Sequence, residues 1–196
     1  EAGPAVRSVV DPSFGHAQGY RIVLDRAGAA ITANDPAGVF YAAQTLEQLR
    51  RANNGKLPQG QIDDWPDFPH RGVMLDISRD KVPTMATLRA LIDKLAELKI
   101  NQVQLYTEHT FAYTKHATVW KNASPMTAEQ IQELDHFCRE RFIELVPNQN
   151  SFGHMERWLK HPEYKDLAEC PDGFDFPWGQ HMDSGFSLDP GDPRSI

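Results

Sequence analysis

The stretch Arg71-Gly72-Val73-Met74-Leu75-Asp76-Ile77-Ser78-Arg79 decides the fold. Val73-Met74-Leu75 is a short continuous apolar run, suited to a strand buried on both faces, and polar residues follow it at once. Outward from it the pattern repeats. Thr84 can cap a helix whose Leu88, Leu91, Ile92, Leu95 and Leu98 form one stripe. Val103 and Leu105 make the next strand. Thr127 with Gln130 fits a capping box, and Ile131, Leu134, Phe137 and Cys138 are the buried face of the helix it opens. Ile143, Leu145 and Val146 make a third strand, which Pro147 stops. Strand–helix–strand–helix–strand predicts a parallel sheet with right-handed crossovers. Three strands cannot close a barrel, so the pattern fits the first units of one or part of an open doubly wound sheet. The nucleotide-binding version of the open sheet is disfavoured, because no glycine-rich phosphate turn follows any of the strands.

The sequence ahead of this stretch has a different rhythm. Tyr20, Ile22 and Leu24 alternate with polar neighbours, Gly28 breaks the run, and Ala30–Thr32 resumes it, which predicts two short strands around a turn. Asp35-Pro36 is a helix start, and Phe40, Ala43, Leu46 and Leu49 continue it at helical spacing over 36–51. Residues 55–70 carry Gly, Pro and Asp and look like a linker. The fold class is therefore α/β: a small α+β lead domain over residues 1–62, then a parallel α/β unit over 63–196. Asp192-Pro193 announces another helix just before Ile196, so a truncated chain is expected. A partial barrel would expose a strand edge and apolar helix faces, and self-association through them is a further expectation.

The 20 basic and 27 acidic residues leave a net charge of −7. That argues against nucleic acid and anionic membrane as partners, since both reward a basic surface. No stretch reaches the length of a membrane span. Cys138 and Cys170 make neither a disulfide framework nor a cysteine metal site. No cofactor is implied.

In parallel α/β architectures chemistry sits beyond the C-terminal ends of the strands. Asp76, Ser78, Arg79 and Asp80 follow the first strand. Tyr106, Thr107, Glu108, His109 and Thr110 follow the second. Asn148, Gln149, Asn150, Ser151, Gly153 and His154 follow the third. Aromatic residues lie in the adjoining loops, among them Tyr113, Trp158, Phe176 and Trp178. A sugar wants this mixture: fixed donors and acceptors for its hydroxyls and a ring for its C–H face. Duller readings stand beside it. Arg71 can pair with a surface acid, Asn148 and Asn150 can be turn formers, His154 can belong to a helix start, and any one Trp can be core. Glu108, His109 and His154, with His116 near, are also ligand types for a divalent cation, but no H-x-x-x-H spacing supports a metal site.

Two longer stretches then resemble a known family. Gly38-Val39-Phe40-Tyr41-Ala42-Ala43-Gln44-Thr45-Leu46, followed by Ile62-Asp63-Asp64-Trp65-Pro66-Asp67-Phe68-Pro69-His70 and the stretch Arg71–Arg79, is similar to the glycoside hydrolases of family 20, the β-N-acetylhexosaminidases. Lys99-Ile100-Asn101 resembles that family's K-x-N, and Val146-Pro147-Asn148-Gln149-Asn150-Ser151-Phe152-Gly153-His154 its V-P-E-x-D-x-P-G-H turn. The resemblance covers about residues 19–160. It implies a (β/α)8 barrel and removal of terminal N-acetylhexosamine with retention, assisted by the sugar's own acetamido group. The catalytic Asp-Glu pair would lie past Ile196. Arg71 matches an arginine that grips sugar hydroxyls, and His154 a histidine that assists the acid. Glu108, His109, Asn148, Asn150, Trp158 and Trp178 are the remaining candidate contacts to a carbohydrate substrate. Two departures stand out. Tyr106-Thr107-Glu108-His109 replaces the family's H-x-x-D-D, and Asn148 and Asn150 replace acids, which leaves His154 without its usual carboxylate. Two alternatives stay open: a non-catalytic or degenerate carbohydrate-binding relative, and a metal-dependent barrel sugar isomerase.

Overall fold

The computed structural model describes residues 5–79 and 81–195. Strand β1 (Ala5–Val10) lies parallel to β3 (Gly28–Ala33), and β2 (Tyr20–Asp25) forms an antiparallel hairpin with β3. The Asp25 carboxylate accepts from the amides of Ala27 and Gly28 at 2.7 and 3.2 Å, which closes the hairpin turn. Helix α1 (Pro36–Ala52) starts where Asp35 accepts from the Gly38 amide at 2.8 Å. The same carboxylate accepts from the Gln18 amide, so one cap fixes both the helix and the strand entry. Gly38 lets the helix press on the backbone: a Cβ there would meet the Gly19 carbonyl at 2.5 Å.

The expected linker contains a strand. β4 (Gly60–Asp64) pairs antiparallel with β2 and completes a sheet of order β1-β3-β2-β4. Its alternation is carried by Ile62 alone, too little for a sequence signal, and β2 supplies the missing information by offering an open edge. Tyr20, Ile22, Leu24, Ile31, Tyr41 and Leu46 form the core between this sheet and α1.

Then come β5 (Gly72–Asp76), α2 (Met85–Glu97), β6 (Gln102–Thr107), the short α3 (Ala117–Trp120), α4 (Ala128–Arg139) and β7 (Glu144–Gln149), with sheet order β5-β6-β7. Asn101 donates to the Arg71 carbonyl at the start of β5 and β6, and Ile77 to the Tyr106 carbonyl at their ends. The two strands therefore run in one direction. Asn101–Glu144 and Thr107–Asn150 bonds show the same for β6 and β7. The parallel expectation is met.

Local expectations fare unevenly. The capping box of α4 is made in both directions, Thr127 N to Gln130 Oε1 at 2.9 Å and Gln130 N to Thr127 Oγ1 at 3.2 Å. Leu88, Ile92 and Leu95 are buried as the stripe predicts, but Leu98 lies past the end of α2 and is exposed. β5 is not buried on both faces, since Met74 is 61% exposed. β7 runs through Pro147 instead of stopping there. A proline is tolerated because β7 ends the described strand order and one side of it donates to no neighbour. The announced helix at Asp192-Pro193 is a single 3₁₀ turn, Pro193–Ser195.

The chain divides into two compact units. The first runs through residue 73 and adds 89–102 and 137–144. The second takes 74–88, 103–136 and 145 onward. In the second, two one-turn helices, α5 (Glu156–Leu159) and α6 (Pro162–Lys165), precede a small hairpin of β8 (Phe174–Asp175) and β9 (His181–Met182). No helix among the described residues is long and apolar enough to cross a membrane.

Candidate active site

The polar residues after the strands fold into turns that stitch to one another. After β5, Asp76 Oδ1 accepts from the amides of Ser78 and Arg79, turning the chain so that the Arg79 side chain projects. Ser78 Oγ accepts from the Glu108 amide at 2.7 Å and shares a hydrogen bond with Thr110 Oγ1. The Glu108 carbonyl accepts from Gln149 Nε2 at 3.0 Å and from the Trp158 indole N–H at 2.6 Å. Glu108 is thus held at both its amide and its carbonyl, by Ser78 after β5, Gln149 at the end of β7 and Trp158 further along the chain.

This frame aims one buried carboxylate. The Glu108 side chain is 4% exposed. Its Oε1 accepts from the Tyr106 hydroxyl at 2.8 Å, and lies 3.8 Å from His154 Nδ1 and 3.9 Å from Arg79 Nε. Arg79 also pairs with Asp76 at 3.0 Å, lies over the Tyr106 ring, and keeps 59% of its side chain exposed. The Tyr106 hydroxyl accepts from the Asn150 amide. Burial pushes the Tyr106 phenol above its ordinary pKa, the Arg79 hydrogen bond opposes this, and Glu108 adds to it. Tyr106 therefore stays a proton donor to Glu108 at neutral pH. His154 has a left-handed backbone, φ 54°, with its ring against Phe186 at 4.7 Å. A residue with a Cβ occupies that region at a cost, and such strain is found where a side chain must be aimed.

Several candidates are placed otherwise. Arg71 is in the first unit, at the entering end of β5, and all five of its N–H groups are used. They go to the carbonyls of Lys99, Phe68 and Pro69, to Gln18 Oε1 and to the Tyr41 hydroxyl. A guanidinium so occupied has no donor left for a sugar. Asn148 is within β7, and its amide donates to Gln104 and Met74. It fills a layer of strand side chains below the one that holds Tyr106 and Asn150. His109 is 8% exposed, its Nδ1 has no hydrogen-bond partner among the described residues, and burial lowers its pKa. Trp158 packs its ring against Tyr113, His116 and Tyr164. Trp178 sits on the β8–β9 hairpin, 71% exposed. Asp80 lies outside the described residues.

His154 was expected to lack a carboxylate, because the turn that carries it has lost its acids. The acid comes instead from the end of β6, as Glu108. Arg79 was one of several polar residues after the first strand, and its partners single it out. As for metal, His116 bonds the Tyr164 hydroxyl at 2.9 Å, and among the described residues no group of three His, Cys, Asp or Glu side chains is placed to hold an ion.

Comparison with known proteins fits this frame. Residues 3–65 match the family model for domain 2 of glycosyl hydrolase family 20, and residues 68–191 match the model for its catalytic domain. The chain is 27% identical to a β-hexosaminidase of Akkermansia muciniphila over 167 residues, covering 74% of this chain and 34% of that protein. It is 27% identical to a lacto-N-biosidase of Bifidobacterium bifidum over 151 residues, covering 76% of this chain and 13% of that one. The chain thus spans about a third or less of these curated relatives. The solved β-N-acetylhexosaminidase of Streptomyces coelicolor superposes with a TM-score of 0.78 at 24% identity, covering 99% of this chain and 43% of that one. The β-hexosaminidase of Streptomyces plicatus, solved with N-acetylglucosamine, gives 0.76 at 23% identity over 100% of this chain and 43% of that one. The matches make the fold class a lead domain followed by the first units of a (β/α)8 barrel, and the chain belongs to glycosyl hydrolase family 20.

Proposed function

We propose that the full-length protein is a hexosaminidase that removes terminal amino sugars with retention, and that this chain supplies one wall of its active site. The observation that carries the reading is the fixed, buried Glu108 carboxylate with Tyr106, His154 and Arg79 around a single oxygen. A carboxylate so enclosed is poor value as a structural feature and useful as a charge set beside a working group. In this reading Glu108 supplies the negative charge beside His154 that the third-strand turn lacks. Arg79 presents a planar donor fork, suited to two adjacent sugar hydroxyls. Asn150 fixes Tyr106, and His109 and Trp158 back the site. The role first expected of Arg71 passes to Arg79. The attacking group is the substrate's acetamido oxygen, and the Asp-Glu pair that serves it lies outside this chain. The division at residues 62 and 63 belongs to the same proposal, as does self-association of the isolated chain.

The test is release of p-nitrophenol from its N-acetylglucosaminide. The full-length protein turns it over, and Glu108→Gln lowers kcat/KM by at least about tenfold, the scale of losing one charged hydrogen-bond partner. A full-length protein that binds N-acetylglucosamine by calorimetry without turnover would replace the enzyme with the carbohydrate-binding relative.

A further inference from the structure

The hairpin that follows the site has a construction of its own. β8 and β9 pair only Phe174 with Met182 and Asp175 with His181. Gly173 allows the entry, since a Cβ there would meet the Met182 carbonyl at 2.2 Å. His181 bridges Asp175 at 2.7 Å and Asp183 at 3.4 Å, which fixes the turn. On this small frame Trp178 stacks on Phe176 with centroids 4.5 Å apart and planes 14° from parallel. One face of the indole is therefore covered, and its 71% exposure belongs to the other face and the edges. Rings continue inward from it. Phe176 meets Phe186 at 6.1 Å, and Phe186 meets His154 at 4.7 Å. An aromatic run thus leads from the Glu108–His154 cluster to an open indole face.

Leaving an indole in water forgoes a large burial gain, and a backed, one-faced aromatic is the surface on which the C–H face of a pyranose stacks. The indole lies three ring-to-ring steps from His154, through Phe176 and Phe186. Charge limits the occupant. Residues 169–183 carry Glu169, Asp172, Asp175 and Asp183 and no Lys or Arg; Lys165 pairs with Asp172 at 2.9 Å, and Asp175 and Asp183 share the single His181, so the hairpin remains net acidic. An acidic sugar would meet like charge there.

We propose that the Phe174–Met182 hairpin binds the sugar on the leaving side of the scissile bond, with the free face of Trp178 stacking on a hexopyranose that carries no acidic group. The proposal rests on the hexosaminidase reading. It is tested with the full-length protein and two substrates of the same terminal N-acetylglucosamine. One has a second N-acetylglucosamine as leaving group, and the other fluoride, which offers no ring to stack. Trp178→Ala lowers kcat/KM for the disaccharide about tenfold and leaves the fluoride within about twofold, the scale of one lost stacking contact. Trp178→Phe recovers most of the loss. A disaccharide whose leaving sugar carries a carboxylate is cleaved more slowly than the neutral one, and Asp175→Asn with Asp183→Asn narrows that gap. Equal losses on both substrates, or a lowered Tm with unchanged kinetics, would make Trp178 a packing residue and overturn the proposal. No turnover of either substrate by the unmutated protein would instead overturn the hexosaminidase reading beneath it.

Discussion

Two arginines carry opposite lessons at the scale of residues. Arg71 and Arg79 sit at the two ends of β5, and a chain of letters gives both the same chemistry. Their surroundings separate them. Arg71 has spent every donor on protein acceptors, while Arg79 has two neighbouring acids, Asp76 and Glu108, one aromatic ring and an open side. Arg79 follows the C-terminal end of its strand, where parallel α/β folds carry their chemistry, and Arg71 precedes the strand. Arg71→Lys keeps the charge and loses the fork, so stability falls by about 2 kcal/mol while kcat/KM of the folded full-length protein holds. Arg79→Lys leaves the urea midpoint unchanged and lowers kcat/KM at least about tenfold. A Tm loss at Arg79 with kinetic loss at Arg71 would exchange the two roles. Glu108 was legible as a polar strand-end residue. That it lies beside His154 was not, because the two come from different loops.

Elements with strong periodicity or caps could be read in advance: the β2–β3 hairpin, α1 from Asp35-Pro36, α4 from its capping box. Those that depend on a neighbour could not. β4 has a single half-buried apolar residue, and it is a strand because β2 has a free edge. It is also pinned by charge. Lys99 Nζ lies 2.7 Å from Asp64 and 2.6 Å from the Tyr20 hydroxyl. Burial would raise the Asp64 pKa, but the Lys99 and Tyr20 hydrogen bonds outweigh it and hold it below the ordinary range. A carboxylate depressed in the folded state stabilises at pH above its unfolded value, about 4, and loses that contribution as pH falls from there through its lowered folded value. Asp64 is partly exposed, so the effect is under about 1 kcal/mol after solvent screening. Asp64→Asn should lower the urea midpoint more at pH 7 than at pH 3. A deficit equal at both values would show that the charge is idle.

For the whole molecule, three parallel strands are fewer than a barrel closes with, and β5 and β7 each have one side without a described strand partner. Met74 on β5 and Val6, Val9 and Val10 on β1 are exposed apolar side chains. Unpaired edges with apolar neighbours pair with other chains. The 196-residue chain should scatter light as more than a monomer at micromolar concentration. A monodisperse monomer would show that these edges are protected and remove self-association from the reading.

The sequence by itself determined what local periodicity encodes: a lead domain, then parallel strand–helix units with polar residues at the strand ends. Backbone hydrogen bonding and the burial of apolar stripes enforce that much wherever such patterns occur. Only the tertiary structure decided which polar residues meet. Glu108, His154 and Arg79 come from three loops, and their spacing along the chain carries no record of the 3.8 and 3.9 Å that join them. The same holds for the one-sided stacking of Trp178, which is a property of a folded hairpin and not of the tryptophan.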